Sequence, residues 1–205
     1  MKENLSKFEQ IQEKFIHNKD FQITVVNRNS PIIIFTPHGG GIERGTSELV
    51  RAIAGVEFSY YLFEGVLPKA RDSKKMHITS TKFDEPQGVK IISHHLTSLA
   101  IHGCVGKKPI IIVGGGDLEF RKKLMDELSN YGYPVEINIK YPGSNKNNIC
   151  NRTISKKGVQ LEFSTGIRRQ LFPRWETRKG RRETSEYFNK MVKDFQKIIN
   201  KIILE

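Results

Sequence analysis

"PIIIVGGGDLEFRKKLMDELSNYGYPVEINI", residues 109–139, reads as one complete strand–helix–strand unit. An apolar run ends on three glycines, Asp117 stands where a helix N-cap belongs, and Gly132 stops the helix before a second apolar run. Such a unit predicts parallel pairing of its two strands, and the flanking sequence extends the pattern. FQITVV (21–26) and PIIIF (31–35) are strand-like and separated by the turn-prone residues Asn27–Ser30. TSELVRAIAG (46–55) reads as a helix capped by Thr46 or Ser47 and stopped by Gly55, followed by a strand in EFSYYLFEG (57–65) and a late one in GVQLEFSTG (158–166). Amphipathic helices are expected at both ends, in LSKFEQIQEKFI (5–16) and TSEYFNKMVKDFQKIINKII (184–203). Continuous apolar strands alternating with helices predict an α/β fold with a mixed β-sheet covered by helices on both faces.

Composition sets the bounds. A chain of 205 residues is long enough for a single domain with a real core, expected here to span residues 1–205. The hydrophobic share of 37% excludes a disordered tail. Lys and Arg outnumber Asp and Glu by 34 to 22, giving a net charge of +12. That surplus points to an anionic partner: nucleic acid, a membrane surface or an acidic polymer. Cys104 and Cys150 form neither a CxxC pair nor a disulfide framework. No apolar run reaches the length of a membrane span, and MKENLSKFEQ lacks a signal-peptide core. The expectation is a protein made soluble in the cytoplasm, monomeric, and able to leave the cell by lysis.

The chemistry concentrates in IIIFTPHGGGIERGTSELV (32–50), where His38, three glycines and Glu43 follow an apolar strand. HGGG is also an oxyanion-hole signature, but no GxSxG elbow accompanies it; the nearest match, Glu162–Gly166, has glutamate in place of the first glycine. A phosphate loop is disfavoured too, because the GK[ST] ending is missing and Glu43 would repel the anion. Imidazole and carboxylate are good zinc ligands, and a catalytic zinc needs a third protein ligand and an open position. Of the six histidines, His17 falls in a polar helix, and His94 and His95 end a helix where capping is commoner than ligation. His102, in LAIHGCVG, repeats the setting of His38. His38, Glu43 and His102 form a candidate metal triad; the competing reading has both histidines satisfied by backbone partners.

TPHGGGIERGTSELVRAIAG (36–55), HITSTKFDEP (77–86), AIHGCVG (100–106) and VQLEFS (159–164) together resemble the phage and bacterial poly-γ-glutamate hydrolases, in the right order over most of the chain. The resemblance implies a zinc-dependent amidohydrolase with a core related to the zinc carboxypeptidases, with one zinc per chain held by His38, Glu43 and His102. It also implies a catalytic glutamate that accepts a proton from water and returns one to the departing amine. Glu162 is the best candidate, since a carboxylate beside Val159 and Leu161 in an apolar strand needs a reason to be there. Pairing with Arg168 or Arg169 is the bland alternative. Asp84 and Glu85 are weaker candidates, because acids are favoured ahead of Pro86 and a helix.

A polymer joined through side-chain amides keeps one α-carboxylate per unit, so cationic subsites are expected. Arg152 resembles the substrate-carboxylate arginine of the zinc carboxypeptidases, although its order after His102 differs from theirs. Arg168 and Arg169 follow Glu162 closely and are candidates for the same cleft. Residues 168–201 hold 11 Lys/Arg and 4 Asp/Glu, a strip that suits a polyanion. The expected partner is poly-γ-glutamate, not nucleic acid. Two other readings remain: a basic module for nucleic acid or an anionic surface, which requires exposed aromatics among the basic residues, and a zinc deacylase of small acylated amino acids.

Overall fold

Successive side chains of a strand point to opposite faces, and Ile32-Ile33-Ile34-Phe35 is apolar at every position, so this segment needs cover on both sides. The computed structural model, which describes residues 5–137 and 139–204, supplies that cover. Ile32 and Ile34 join one buried cluster with Leu49, Leu161 and Phe195. Ile33 and Phe35 join another with Phe8, Phe63 and Ile92.

In chain order the elements are α1 (Phe8–Lys14), β1 (Phe21–Val26), β2 (Ile32–Gly40), α2 (Thr46–Ala54), β3 (Ser59–Gly65), α3 (Ala70–Ser73) and α4 (Pro86–Ser93). There follow β4 (Thr97–Cys104), β5 (Ile111–Gly115), α5 (Leu118–Asn130), β6 (Val135–Glu136), β7 (Val159–Ser164), α6 (Thr165–Leu171) and α7 (Glu186–Leu204). The seven strands form one sheet in the order β1-β3-β2-β4-β7-β5-β6. Strands β3, β2, β4 and β7 are mutually parallel; β1 runs antiparallel to β3, and β5 antiparallel to β7 but parallel to β6. Helices α2, α5, α6 and α7 pack on one face, α1 and α4 on the other. The α/β architecture with a mixed sheet between helical layers is therefore as expected. The carboxyl ends of four adjacent parallel strands lie together at one end of the sheet, where open α/β sheets place their ligands. No helix among the described residues is long and apolar enough to cross a membrane.

Local details depart from the sequence reading for identifiable reasons. Asp117 caps α5 as expected, accepting from the Phe120 N–H at 3.1 Å. The second strand expected at the end of the 109–139 unit is only Val135–Glu136, with Ile137 and Ile139 exposed and residue 138 outside the described residues. Neither Thr46 nor Ser47 caps α2; that position belongs to Gly45, at φ 90°. The hydroxyls instead serve the turn before the helix. Thr46 donates to the Glu43 carbonyl at 2.8 Å, and Ser47 accepts from the Gly40 N–H at 2.8 Å. Strand β2 also runs on through His38 and Gly39 to Gly40, two residues into what reads as a glycine turn. The glycines there answer crowding. Gly40 is at φ 66°, and a Cβ on it would lie 2.3 Å from the Gly65 carbonyl oxygen.

Gly40→Ala therefore meets both a left-handed backbone and a backbone atom that cannot yield. It is expected to cost about 2–4 kcal/mol, read as a lower denaturant midpoint at unchanged slope.

Candidate functional site

The His38–Glu43 turn closes on itself. The Glu43 N–H donates to the His38 carbonyl at 2.8 Å, which returns the Glu43 side chain over the end of β2. One carboxylate oxygen then lies 3.0 Å from His38 Nδ1 and the other 3.5 Å from His102 Nδ1, while the Gly103 N–H donates to the latter at 2.8 Å. The two Nδ1 atoms face each other at 3.2 Å. His38 Nε2 is 2.6 Å from the Ile78 carbonyl, so this nitrogen carries a hydrogen, which leaves Nδ1 to donate to Glu43 when protonated or to offer a lone pair to a metal when not.

Those spacings can be compared with a metal's requirement. Nitrogen and oxygen ligands at roughly 2.0–2.2 Å in a tetrahedron stand about 3.4 Å apart. The two imidazole nitrogens stand 3.2 Å apart, and the Glu43 carboxylate approaches His38 through one oxygen at 3.0 Å and His102 through the other at 3.5 Å. His77 adjoins them. Its ring stacks on His38 at 4.0 Å, its Nε2 lies 3.7 Å from Glu43, and His38, Glu43 and His77 also offer donors within 4.8 Å of one another. The two sets share His38 and Glu43 and differ in whether His102 or His77 completes them. His77 had no site role in the sequence reading. Its signal was its place at the head of HITSTKFDEP.

Glu162 stands one strand away, in register with His102 on the adjacent parallel strand. Burial pushes its carboxyl up to about 6, although His102 pulls the other way. Glu43 behaves oppositely. Burial would raise it, but the nearby His38 and hydrogen bonds to both histidines hold it well below the usual carboxylate range. His102 is raised despite burial, through its bond to Glu43 and the charge of Glu162. His77 is lowered to about 4, first by His38 and then by burial. The arrangement thus provides a fixed anion among imidazole donors and, beside it, a carboxyl that exchanges its proton near neutrality.

These groups open into a cleft of about 780 Å³ whose walls include Thr79–Thr81 and Lys140–Asn145. None of the three arginines expected there lines it. Arg168 is buried, with its guanidinium donating to the carbonyls of Phe163, Arg44 and Cys104. Arg152 donates to the carbonyls of Thr81, Phe83 and Asn147, tying the two walls together. Arg169 is exposed and 3.9 Å from Glu176. Among the remaining candidates, His94 and His95 engage the carbonyls of Lys90 and Ile91, as helix-end histidines do. His17 lies beyond α1, stacked on Phe21. Glu85 caps α4, accepting from the N–H groups of Gln87 and Gly88. Phe172 and Trp175, the aromatics nearest the basic strip, are buried, so they offer no stacking platform for bases.

The family model described as poly-gamma-glutamate hydrolase matches residues 5–194. The SPbeta prophage-derived UPF0714 protein YoqZ of Bacillus subtilis (strain 168) is 36% identical over 203 residues, covering 98% of this chain and 71% of that protein. UPF0714 protein YndL of the same strain is 38% identical over 156 residues, which is 75% of this chain and 61% of YndL. Among solved structures, a bacteriophage poly-gamma-glutamate hydrolase superposes with a TM-score of 0.93 at 31% identity, covering 98% of this chain and 99% of the other. Zinc-free YndL superposes at 0.89 with 31% identity and 96% coverage of both chains.

The Glu162 shift has a sign that can be tested. Its folded value of about 6 lies above the ordinary 4.5, so the folded state holds the proton more tightly. For the metal-free protein this group favours folding below about pH 4.5, and that contribution is lost as pH rises through about 6, a difference of roughly 2 kcal/mol. Glu162→Gln is expected to stabilise the chelator-treated protein by about 1–2 kcal/mol near neutral pH and hardly at all near pH 4.5. Denaturant titrations at the two pH values read this directly.

Proposed function

Because the chain belongs to the poly-γ-glutamate hydrolase family, we propose that it hydrolyses the γ-glutamyl amide bonds of poly-γ-glutamate, with one zinc held by His38, Glu43 and His102. The observation that carries this reading is the cluster of His38, Glu43 and His102, with contacts of 3.0–3.5 Å among them, and Glu162 in register beside it. The donor set fits zinc: two neutral imidazole nitrogens and one carboxylate, with a hydrogen bond from the far nitrogen of His38 fixing its tautomer. Zinc in this place supplies Lewis acidity and lowers the pKa of water.

The remaining steps belong to the chain's own residues. Glu162 takes a proton from the attacking water and gives one to the amine nitrogen as the γ-carbonyl–nitrogen bond breaks, leaving a new carboxylate and a new α-amine. A base that titrates at about 6 is matched to that double duty near neutral pH. The polar side chains Thr79, Ser80, Ser144 and Asn145 in the cleft lining suit the amide links of the polymer. Arg168 acts as a positioning residue. Its guanidinium holds the carbonyls of Arg44 and Cys104, next to Glu43 and close to His102.

Four variants separate these roles. Elemental analysis of the purified wild type is expected to find one zinc per chain; His102→Ala and His38→Ala should lose it, while His77→Ala keeps it. Zinc retained in His102→Ala and lost in His77→Ala would transfer the ligand role to His77. Glu162→Gln should keep zinc and lower turnover of poly-γ-glutamate by about 10²–10⁴-fold, followed as polymer length on a sizing column. A fully active wild type without metal would overturn the proposal.

A further inference from the structure

The catalytic cleft poses a charge problem. Its lining contains two carboxylates, Glu43 and Glu162, and among the described residues Lys140 is its single lysine or arginine. A substrate with one carboxylate per unit finds little compensation there. A second cleft, of about 600 Å³, lies across the turn. Gly41 and Arg44 line it, whereas Glu43 between them faces the catalytic cleft. Its other walls are the Gly65–Lys69 segment that leaves β3, and Glu176–Arg178. Gly41 and Gly65, joined by a 2.8 Å backbone hydrogen bond, continue β2 and end β3, so both clefts open at the carboxyl end of the same parallel strands.

This second cleft is strongly cationic. Arg44, Lys69, Arg71, Arg178 and Arg181 line it, and among the described residues Glu176 is the sole acidic side chain that does. Part of this charge is compensated: Arg44 pairs with Glu176 at 2.9 Å, Arg181 with Glu48 at 2.9 Å, and Arg178 stands 3.9 Å from Glu64. Lys69 and Arg71 are exposed, and neither forms an ion pair among the described residues. Uncompensated cations in a concave site concentrate anions.

We infer that the cleft lined by Arg44, Lys69, Arg71 and Arg178 is a distal subsite that holds the α-carboxylates of a γ-linked glutamate chain whose scissile bond lies in the catalytic cleft. The inference rests on the proposed poly-γ-glutamate hydrolysis and adds where the polymer outside the reacting unit runs. Binding energy gathered there is independent of the chemical step, so it acts on long chains and is absent for chains too short to cross the turn.

The test measures kcat/KM per bond on a defined series of short γ-linked oligomers and on high-mass poly-γ-glutamate. For the wild type, kcat/KM should rise with length and then level off, and added salt should flatten the rise. The double variant Lys69→Ala/Arg71→Ala should lower the long-to-short ratio about tenfold, mainly through KM. Lys122→Ala/Lys193→Ala removes the same charge from exposed helix positions on α5 and α7 and should leave the ratio alone. An unchanged ratio in the first variant, or an equal fall in the second, would overturn the subsite. A wild type that cleaves all lengths equally would also overturn it while leaving the proposed function standing. Cleavage of no γ-linked substrate would remove both. Single-stranded RNA that outcompetes the polymer on the wild type but not on Lys69→Ala/Arg71→Ala would reassign the cleft to nucleic acid.

Discussion

A carboxylate that is only 14% exposed, that of Glu43, must be matched by donors on all sides, and the site is built around meeting that need. Its donors come from two distant places in the chain: His38 near the end of β2, and His102 with the Gly103 N–H near the end of β4. The requirement is met because β2 and β4 lie side by side in the sheet and the residue 41–45 turn folds back on its own strand. Once β4 is placed, its in-register pairing with β7 brings Glu162 beside His102. The anion thus organises the three elements that carry the candidate chemistry.

Arg168 holds the same three elements from behind. Its guanidinium binds carbonyls of the turn, of the end of β4 and of β7, and it stacks over Trp175 at 5.2 Å. A planar, permanently charged fork suits this use, because it offers several donors in fixed directions and keeps its proton when buried. The position is tight. A Cβ on Gly103 would stand 2.6 Å from the Arg168 guanidinium carbon, so the glycine after His102 makes room for the bracket. Arg152 acts comparably on the cleft walls, joining the Thr81–Phe83 and Asn147 backbones.

The net charge of +12 is therefore divided by use. Buried arginines bind backbone carbonyls and stiffen the site, while Lys69 and Arg71 stand exposed in the cleft beyond the turn. Around Glu43 and Glu162 the balance is close to neutral or negative, as a metal cation would require. Glu162 itself is a burden on the metal-free fold, since burial raises its carboxyl to about 6 and its charged form is poorly solvated. A group placed against stability at the centre of a cleft marks a position held for function.

The sequence alone determined the α/β class, most of the strands and helices though neither β4 nor α6, the Asp117 cap, and the grouping of His38, Glu43 and His102 as donors of compatible chemistry. These are local matters: periodicity, capping and donor type are written in neighbouring residues. It also singled out Glu162, because an acid in an apolar strand is visible as an inconsistency. The tertiary structure alone decided the rest. Only strand order and register place Glu162 against His102, and only the path of residues 77–81 lays His77 on His38. The extension of β2 to Gly40 depends on contact with β3, which no window of the sequence contains. The arginines show the limit most plainly. A guanidinium has the same chemistry whether it meets a substrate carboxylate or a backbone carbonyl, and which one it meets is set by what the fold brings within about 3 Å of it.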